Sequence, residues 1–335
     1  MTCRRMIFVE DLPLIGCIAF GLIDRGTNII QVRPSSMCPL SCIFCSTDAG
    51  PNSRHRLTEY IVDLDLLIEW FDYVVEFKGR RKIEAHIDTV GDPLTYPQLV
   101  ELVQRLSEIK GVEVISLQTH GVLLSEKIVD ELAEAGLSRV NLSIDALDPI
   151  LARKLAGTNS YNVHRIMEIA EYIASKPNLD LLIAPVWVPG INDEEIPKII
   201  EYALKIGAGK KWPALGIQKY EVHKRGRKPK GVKSMSWSKF YKKLAELEKK
   251  YKTKLILKPE DFGIHKRPMV PILYRKGEKV LVEIVEKGWL KGELLAVDKR
   301  KQRVITVVEA QVPIGTKMYV KVIANKHNLY IAKPL

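Results

Sequence analysis

The stretch Cys38-Pro39-Leu40-Ser41-Cys42-Ile43-Phe44-Cys45 places three of the five cysteines of this 335-residue chain within eight residues. Thiolates in so short a loop can converge on one soft metal centre. A [4Fe–4S] cluster has four corners, so three protein thiolates leave one iron open. The alternatives are a zinc site completed by a distant histidine, or a disulfide with a spare thiol, but the sequence has no second cysteine pair of the kind that structural zinc uses. The spacing therefore favours a cluster held by Cys38, Cys42 and Cys45.

The octet resembles the cluster loop of radical S-adenosylmethionine (SAM) enzymes, whose pattern CxxxCxΦC has an aromatic residue before the last cysteine. Phe44 stands at that position, which assigns it to the cofactor site. The resemblance implies that SAM binds the open iron, and that one electron from the cluster splits SAM to give a 5′-deoxyadenosyl radical, which removes hydrogen from the substrate. It also implies an electron donor such as ferredoxin or flavodoxin. The cofactors carry this chemistry, and the protein positions and shields them.

Outward from the octet, hydrophobic periodicity alternates between strands and helices over residues 28–251. Strands are predicted at Asn28–Arg33, Lys82–Val90, Val112–Thr119, Arg139–Asp145, Leu179–Val188 and Ala214–Tyr220. Helices are predicted at Thr58–Phe77, Pro97–Ile109, Ser125–Ala135, Tyr161–Ser175, Asp193–Ile206 and Trp237–Tyr251. Six strand–helix repeats predict an α/β fold with a parallel sheet, two repeats short of a closed eight-stranded barrel. Radical SAM enzymes are built on such a partial (β/α)6 TIM-type barrel, so the resemblance implies the same fold.

In barrels of this kind, functional residues follow the carboxyl ends of the strands. The turn Gly91-Asp92-Pro93 is similar to the family's GEP motif, which holds the amino group of SAM, with aspartate in place of glutamate; such a sequence is also a common turn. Ser143 and Asp145 share one face of the fourth strand and resemble the ribose-binding pair. Thr119 resembles part of the family's T-N-G-like turn, and Val188 lies in a segment similar to the adenine-side segment.

Three further polar residues are candidates for catalysis. His86 and Asp88 alternate with Glu84 on the second strand, so all three point to one side, and His120 follows the third strand. They either touch substrate or are core polar residues with satisfied hydrogen bonds. No cysteine follows Cys45, which excludes an auxiliary cluster of C-terminal cysteines and disfavours methyl transfer through a downstream acceptor cysteine.

Positive charge is concentrated in one part of the chain. The formal net charge is +12, and residues 224–258 alone contain 14 Lys or Arg against two Glu, which is also +12. Such a segment indicates a polyanionic partner; the alternative is the solvated, lysine-rich helix common in thermostable proteins. The predicted RNA-binding residues are Arg225, Arg227, Lys228, Lys230 and Lys233.

Residues 272–335 have a different sequence pattern. Short β-rich runs separated by glycine turns replace the alternation of strands and helices. Five such runs predict a small Greek-key barrel of the OB kind: Lys279–Glu286, Trp289–Val297, Arg303–Glu309, Met318–Ala324 and Leu329–Ala332. This part is similar to a TRAM domain, a nucleic-acid-binding barrel appended to several RNA-modifying enzymes. A barrel with only a packing role is the alternative. The predicted division is residues 1–27 as an N-terminal β extension, 28–258 as the radical SAM barrel, 259–271 as a linker and 272–335 as the TRAM-like barrel.

Together the resemblances predict a radical SAM enzyme that modifies RNA (tRNA or rRNA) by methylation or another functionalisation of a C–H bond. The alternatives are modification of a protein or small metabolite, or a non-catalytic RNA-binding iron–sulfur protein. Few cysteines lie outside the octet, which favours a reducing compartment, and Cys3 and Cys17 are expected to be isolated thiols. Met6–Glu10 and Cys17–Asp24 predict a short β-hairpin or β extension. The apolar start lacks a cleavage site and is too short to span a bilayer, so a soluble cytoplasmic protein is expected.

Overall fold

The computed structural model describes residues 4–335, so the predicted isolated thiol Cys3 lies outside the described residues. The helices are α1 (Leu64–Phe77), α2 (Leu99–Glu108), α3 (Glu126–Glu134), α4 (Pro149–Ala156), α5 (Val163–Ser175), α6 (Glu195–Lys205) and α7 (Trp237–Tyr251). The strands are β1 (Arg5–Val9), β2 (Gly21–Asp24), β3 (Ile29–Arg33), β4 (Thr58–Val62), β5 (Ile83–Ile87), β6 (Val112–Thr119), β7 (Arg139–Leu142), β8 (Asp180–Ile183), β9 (Val186–Trp187), β10 (Gln218–Lys219), β11 (Lys279–Lys287), β12 (Glu293–Asp298), β13 (Val304–Val308), β14 (Lys317–Ala324) and β15 (Ile331–Pro334).

The chain forms two compact units, each assembled from separate parts of the sequence. The first contains residues 4–37, 54–113 and 266–335, and the second contains 38–53 and 114–265. The sequence predicts a linker over residues 259–271. In the structure, the contacts of residues 266–335 place these residues in the same unit as the N-terminal part of the chain.

The first unit has β3 and β5 as parallel neighbours, with Ile29 opposite Glu84 and Val32 opposite Ile87. β2 lies antiparallel on the other side of β3. Helix α1 begins after Asp63, whose carboxylate accepts from the backbone N–H of Leu66 at 2.9 Å. The side chains of α1 that recur at helical spacing are buried and hold the helix in the core.

The second unit continues the alternation with parallel strands β6, β7 and β8. The predicted α/β class is confirmed, and the first five predicted strands are present. The sixth, predicted at Ala214–Tyr220, is only the two-residue β10, which pairs with β9, while Leu215 forms a single bridge to Ile183. Helices α3, α5, α6 and α7 lie where the periodicity predicts them, and α7 matches its predicted bounds.

One local prediction is wrong, and one helix was not predicted. Thr58–Val62 is not the start of a helix, because these residues pair in parallel with β1. Of the two alternatives for the N-terminal residues, hairpin or extension, the hairpin does not form, since β1 pairs with β4 and β2 pairs with β3. Helix α4 was not predicted; it is short, with Asp148 as its N-cap and Gly157 at its C-terminal end.

The C-terminal strands form a closed barrel in the order β11-β12-β13-β15-β14, which agrees with the predicted small five-stranded barrel. Along β11, residues alternate between exposed and buried, so one face supplies the barrel core. That core contains Val282, Ile284, Ile305 and Val322, with Tyr330 beside them. A closed barrel of this size is compatible with an OB-like domain.

Within the first unit, the barrel is hydrogen-bonded to the N-terminal strands. The Thr58 hydroxyl donates to the carbonyl of Gly288 at 2.9 Å, and the Tyr60 hydroxyl donates to the carbonyl of Lys287 at 2.8 Å. The buried Lys78 ammonium, at the end of α1, lies 2.7 Å from Asp24 and 3.0 Å from the Pro268 carbonyl. Residues before the barrel are thereby fixed to the sheet.

Candidate active site

The cysteine loop opens the second unit. Cys42 is buried, and Cys38 and Cys45 are half-buried; none of the three is in a disulfide. The pKa of Cys42 is well above its ordinary value, first because of burial and then because Asp145, Cys38 and Cys45 lie near enough to repel a thiolate. Cys42 therefore lies within electrostatic range of Cys38, Cys45 and the Asp145 carboxylate.

The C-terminal end of α4 holds this loop. The backbone N–H groups of Ser41 and Ile43 donate to the carbonyls of Ala156 and Leu155, each at 3.0 Å. Gly157 follows with φ +66°, and a Cβ atom there would lie 2.0 Å from the carbonyl oxygen of Ser41. Only glycine fits this position, because the loop approaches the helix end so closely.

Arg227 binds the other side of the cysteine loop. Its Nε donates to the carbonyl of Cys42 at 2.7 Å, and a terminal nitrogen lies 3.0 Å from the buried carboxylate of Asp48. The second terminal nitrogen donates to the carbonyl of Ala49, and the Arg227 backbone N–H donates to the carbonyl of Cys45 at 2.8 Å. Its guanidinium thus holds the cysteine loop, and its contact with RNA stays a prediction.

A small pocket adjoins Cys42 in the second unit. It is lined by Cys42, His120, Asp145, Ala146, Ala152, Ala156 and Tyr161. The Asp145 carboxylate accepts from the backbone N–H of Val186 at 2.8 Å. Burial raises the pKa of Asp145, and nearby His120 and that N–H oppose the rise. The predicted residues Cys42, Asp145 and His120 are thus brought together.

The other predicted residues of this unit lie at neighbouring strand ends. The Ser143 hydroxyl accepts from the Gln118 side chain at 3.1 Å, and its backbone N–H donates to the carbonyl of Thr119 at 2.8 Å. Phe44 is buried beside Cys45. Thr119 is the last residue of β6 and Ser143 directly follows β7, so both lie at carboxyl ends of strands, as predicted for a barrel of this kind.

Asn192 was not predicted as a site residue, although it organises this edge. Its amide donates to the carbonyls of Asp145 and Val186 at 2.8 and 2.9 Å, and its oxygen accepts from the backbone N–H of Val188 at 2.8 Å. The side chain is fully buried. Asn192 therefore ties the predicted ribose-side residue Asp145 to the predicted adenine-side residue Val188. The available sequence signal is that this asparagine lies four positions after the end of the strand predicted at Leu179–Val188.

In the first unit, the Gly91-Asp92-Pro93 turn packs on the residues that lead into the cysteine loop. The Asp92 backbone N–H donates to the carbonyl of Met37 at 2.7 Å, and a Cβ atom on Gly91 would lie 1.9 Å from that oxygen. The buried Asp92 carboxylate accepts from the backbone N–H of Leu94 at 3.1 Å, at the start of a 3-10 turn. The turn thus has a structural role in addition to the one predicted for SAM.

Arg56 fixes the same turn from the barrel side of the first unit. Its guanidinium donates to the carbonyl of Ser36 at 2.6 Å and to the carbonyl of Val90, and it pairs with Glu59 at 3.1 Å. The Trp289 ring of the barrel covers it, with its centroid 4.8 Å from the guanidinium carbon. Sequence patterns gave no signal for this contact, because the partners are backbone carbonyls distant in sequence.

The remaining candidate residues for catalysis lie in the first unit. Asp88 accepts from Arg33 at 3.1 and 3.2 Å and from Gln31 at 2.9 Å. This is a bidentate ion pair, the arrangement expected of a satisfied structural carboxylate. His86 lies opposite Gln31 in the β3–β5 register and is half-buried. Of the three candidate residues for catalysis, His120 is the one in the second unit, where it lines the pocket beside Cys42.

The basic loop 223–233 follows β10. Lys228, Lys230 and Lys233 are exposed, and Arg225 is half-buried. The loop returns to the cysteine loop at Arg227, so exposed cations flank the residue that binds the Cys42 and Cys45 carbonyls.

Residues 4–335 lack two features. No helix there has the length and apolar character needed to cross a membrane. No three His, Cys, Asp or Glu side chains there are placed to hold a single metal ion. A cubane cluster spreads its thiolates more widely than a single ion does, because each thiolate binds a different iron. The neighbouring thiols, with a pocket of small side chains beside Cys42, fit a cluster with a ligand next to it.

A family model described as the Radical SAM superfamily matches residues 32–203, just over half of the chain. A Methanocaldococcus jannaschii protein, described as uncharacterised, is 45% identical over 99% of this chain and 81% of its own length. A GTP 3′,8-cyclase of Chlorobaculum tepidum and a probable one of Methanococcus aeolicus are 29% and 31% identical over 53% and 55% of this chain. The chain spans 50% and 58% of those cyclases.

Solved structures show the same fold at low sequence identity. SuiB of Streptococcus suis, bound to SAM, has a TM-score of 0.50 and 17% identity, covering 68% of this chain and 48% of that one. A point mutant of spore photoproduct lyase has a TM-score of 0.52 and 13% identity, covering 73% of this chain and 78% of that one. The predicted radical SAM fold is therefore confirmed.

Proposed function

The chain belongs to the radical SAM superfamily, and on this premise we propose that it modifies RNA. The cofactors of the family are SAM and a [4Fe–4S] cluster, as the octet predicts. The single observation that carries the RNA proposal is the contact of the basic loop with the cysteine loop through Arg227. A polyanion bound by the exposed lysines of that loop would lie beside the cysteine loop, and RNA is a polyanion with reactive nucleotides.

Within this proposal, Cys38, Cys42 and Cys45 hold the cluster. Ser143, Asp145, Thr119 and Val188 hold the nucleoside part of SAM, with Phe44 beside the cluster. Gly91, Asp92 and Pro93 receive its amino group, as the resemblance implies. When bound, the cluster and SAM supply one-electron carbon–sulfur cleavage followed by hydrogen abstraction from the substrate.

The chain's own residues position and shield that chemistry. Asn192 fixes Asp145 and Val188 relative to each other, so two predicted contacts to SAM are set before it binds. Ala146, Ala152 and Ala156 line the pocket with small apolar side chains that exclude water. His120 is the residue best placed to hold or move a proton at that pocket, because it interacts with Asp145. Among the residues of the first unit, Asp88 serves as an ion-pair partner of Arg33.

The C-terminal barrel supports the same proposal. Its outer face presents Tyr319 opposite Leu281, and Lys279 opposite Lys321, all exposed. An aromatic ring flanked by ammonium groups is the composition of a nucleic-acid surface. We propose that this TRAM-like barrel contributes to RNA binding, with a reduced ferredoxin or flavodoxin as electron donor.

The test is a comparison of RNA from a deletion strain with RNA from its parent. Mass spectrometry of digested tRNA and rRNA nucleosides is expected to reveal a modified nucleoside absent from the deletion strain and restored by the wild-type gene. Restoration must fail with a Cys42→Ala gene. Identical nucleoside profiles in both strains would refute the RNA proposal.

A second candidate is a nucleotide-sized substrate, which the similarity to GTP 3′,8-cyclases favours. The reconstituted protein, supplied with SAM, a reductant and either GTP or RNA from the deletion strain, distinguishes the two. Consumption of GTP with unchanged RNA would favour the nucleotide.

A further inference from the structure

Helix α7 presents two aromatic side chains to solvent. Trp237 is 54% exposed and Tyr241 is 44% exposed, one helical turn apart. Their rings stack, with centroids 5.7 Å apart and planes 26° apart. The buried residues of α7 are Phe240 and Leu244, which face the interior of the unit.

One ammonium group contacts this aromatic pair, and further lysines lie on the same helix. The Lys219 ammonium lies 4.7 Å from the Trp237 ring centroid on the protein side, and it is held there by Glu221 and Ser234 at 2.5 and 2.8 Å. Lys239 and Lys242, on the same helix, are exposed. Charge in this part of the chain is strongly positive, as residues 224–258 carry a net +12.

The aromatic pair is joined by buried rings to the strand that holds Asp145. Phe240 packs edge-on against Trp237 at 6.1 Å and against Trp187 at 6.2 Å. Trp187 directly follows Val186, whose backbone N–H donates to Asp145. The exposed rings are therefore joined through Phe240 to β9, the strand that directly precedes the predicted SAM residue Val188.

We propose that Trp237 and Tyr241 form a stacking site for unpaired bases of the RNA substrate. The inference rests on the proposed function and names the part of RNA that this face receives: a single-stranded segment. Flat exposed rings bind bases of any sequence, and the net positive charge of residues 224–258 attracts the phosphates that connect them. Charge complementarity selects a polyanion, and the stacked rings select one that carries bases.

The test compares a polyanion with bases to one without. A labelled single-stranded RNA and inorganic polyphosphate are titrated by fluorescence anisotropy against the parent and against the variant that combines Trp237→Ala with Tyr241→Ala. We expect RNA affinity to fall about tenfold or more, the loss of at least one base stack. Polyphosphate affinity and the salt dependence of RNA binding are expected to stay unchanged, because no charge is removed.

Two control variants guard against a folding defect. Trp237→Phe with Tyr241→Phe keeps flat rings and is expected to retain affinity. Tyr73→Ala removes an equally exposed helical aromatic, 48% exposed and packed edge-on against Trp70, from the first unit, and is expected to have no effect. If the double alanine variant binds RNA with the parental affinity, the stacking site is wrong, whereas the proposed function still stands. The same conclusion follows if this variant changes its self-association while its RNA binding is unchanged. Absence of RNA binding by the parent at any salt concentration would overturn both.

Discussion

At the scale of single residues, arginine side chains fix the backbone around the predicted cofactor residues. Arg56 holds the carbonyls of Ser36 and Val90, and Arg227 holds those of Cys42 and Ala49. A guanidinium suits this task because its five donors are set in a planar fork and it stays charged. Charge counting groups these residues with solvent-exposed cations, so their roles were invisible in the sequence.

The cluster assignment can be tested at Cys42. Anaerobically reconstituted parent is expected to hold about four iron and four sulfide per chain, and Cys42→Ala is expected to lose the cluster and SAM cleavage together. Cys17→Ala is the matched control, since Cys17 is a buried thiol whose pKa burial raises to about 11. Full iron content in Cys42→Ala would show that the assignment is wrong.

Arg227 gives a second prediction at this scale. Arg227→Lys keeps the charge but loses the fork, so it is expected to bind iron less tightly and to lower stability by about 1–3 kcal/mol, the cost of unsatisfied buried partners. Iron content after gel filtration and the midpoint of urea unfolding measure these two effects. Lys228→Met, the neighbouring exposed cation, is expected to leave both unchanged. Equal iron retention in Arg227→Lys and the parent would contradict the proposed role.

At the scale of elements, α4 shows what periodicity cannot reveal. The helix is only eight residues long and has two useful ends, the Asp148 cap and the carbonyls that bind the cysteine loop. Strand β4 is a second example. The local sequence of Thr58–Val62 predicts the start of a helix, but these residues pair with β1, which is distant in sequence. Long periodic elements such as α7 were predictable because burial of one face is written into the local sequence. Pairing between remote segments is not.

Gly157→Ala tests the contact between α4 and the cysteine loop. Its added methyl group would meet the Ser41 carbonyl, so we expect lower iron retention as well as lower stability. Gly207→Ala is the matched control: Gly207 follows α6 with φ +74° and has no atom within 4 Å of an added Cβ. The control is expected to cost only about 1–2 kcal/mol of left-handed backbone strain and to keep its iron. Equal iron loss in both variants would mean that strain alone is responsible.

At the scale of the whole molecule, the strand ends and the cysteine octet were predictable, because a parallel α/β fold places its functional residues at one type of position. Cys42, His120 and Asp145 meet at one pocket as that rule implies. The composition of the two units was not predictable. Residues 266–335 join the N-terminal residues through hydrogen bonds such as Thr58 to Gly288, which no local pattern encodes.

The electrostatic prediction also belongs to this scale. Changing Arg225, Lys228, Lys230 and Lys233 to Ala removes four cations, so the slope of log K against log salt for single-stranded RNA is expected to flatten by up to about 3, at about 0.7 per phosphate contact. SAM cleavage without substrate is expected to persist, since Arg227 is untouched. The control changes four exposed lysines elsewhere, Lys110, Lys127, Lys205 and Lys211. An identical slope in the two quadruple variants would show that the loop is merely solvated.

The first unit is built from separate segments of the sequence, and this determines the order in which the two units can fold during synthesis. Residues 113 and 266 border its last two segments, 153 positions apart. At ~5–20 residues per second, a ribosome needs roughly 8–30 s to cover that distance. During this interval β1 and β4 have emerged without Lys287 and Gly288, to which Tyr60 and Thr58 donate. The continuous stretch 114–265 emerges meanwhile, so we expect the second unit to complete its helices first. The apolar N-terminal strands then depend on residues made after that interval, during which chaperones can bind the nascent chain.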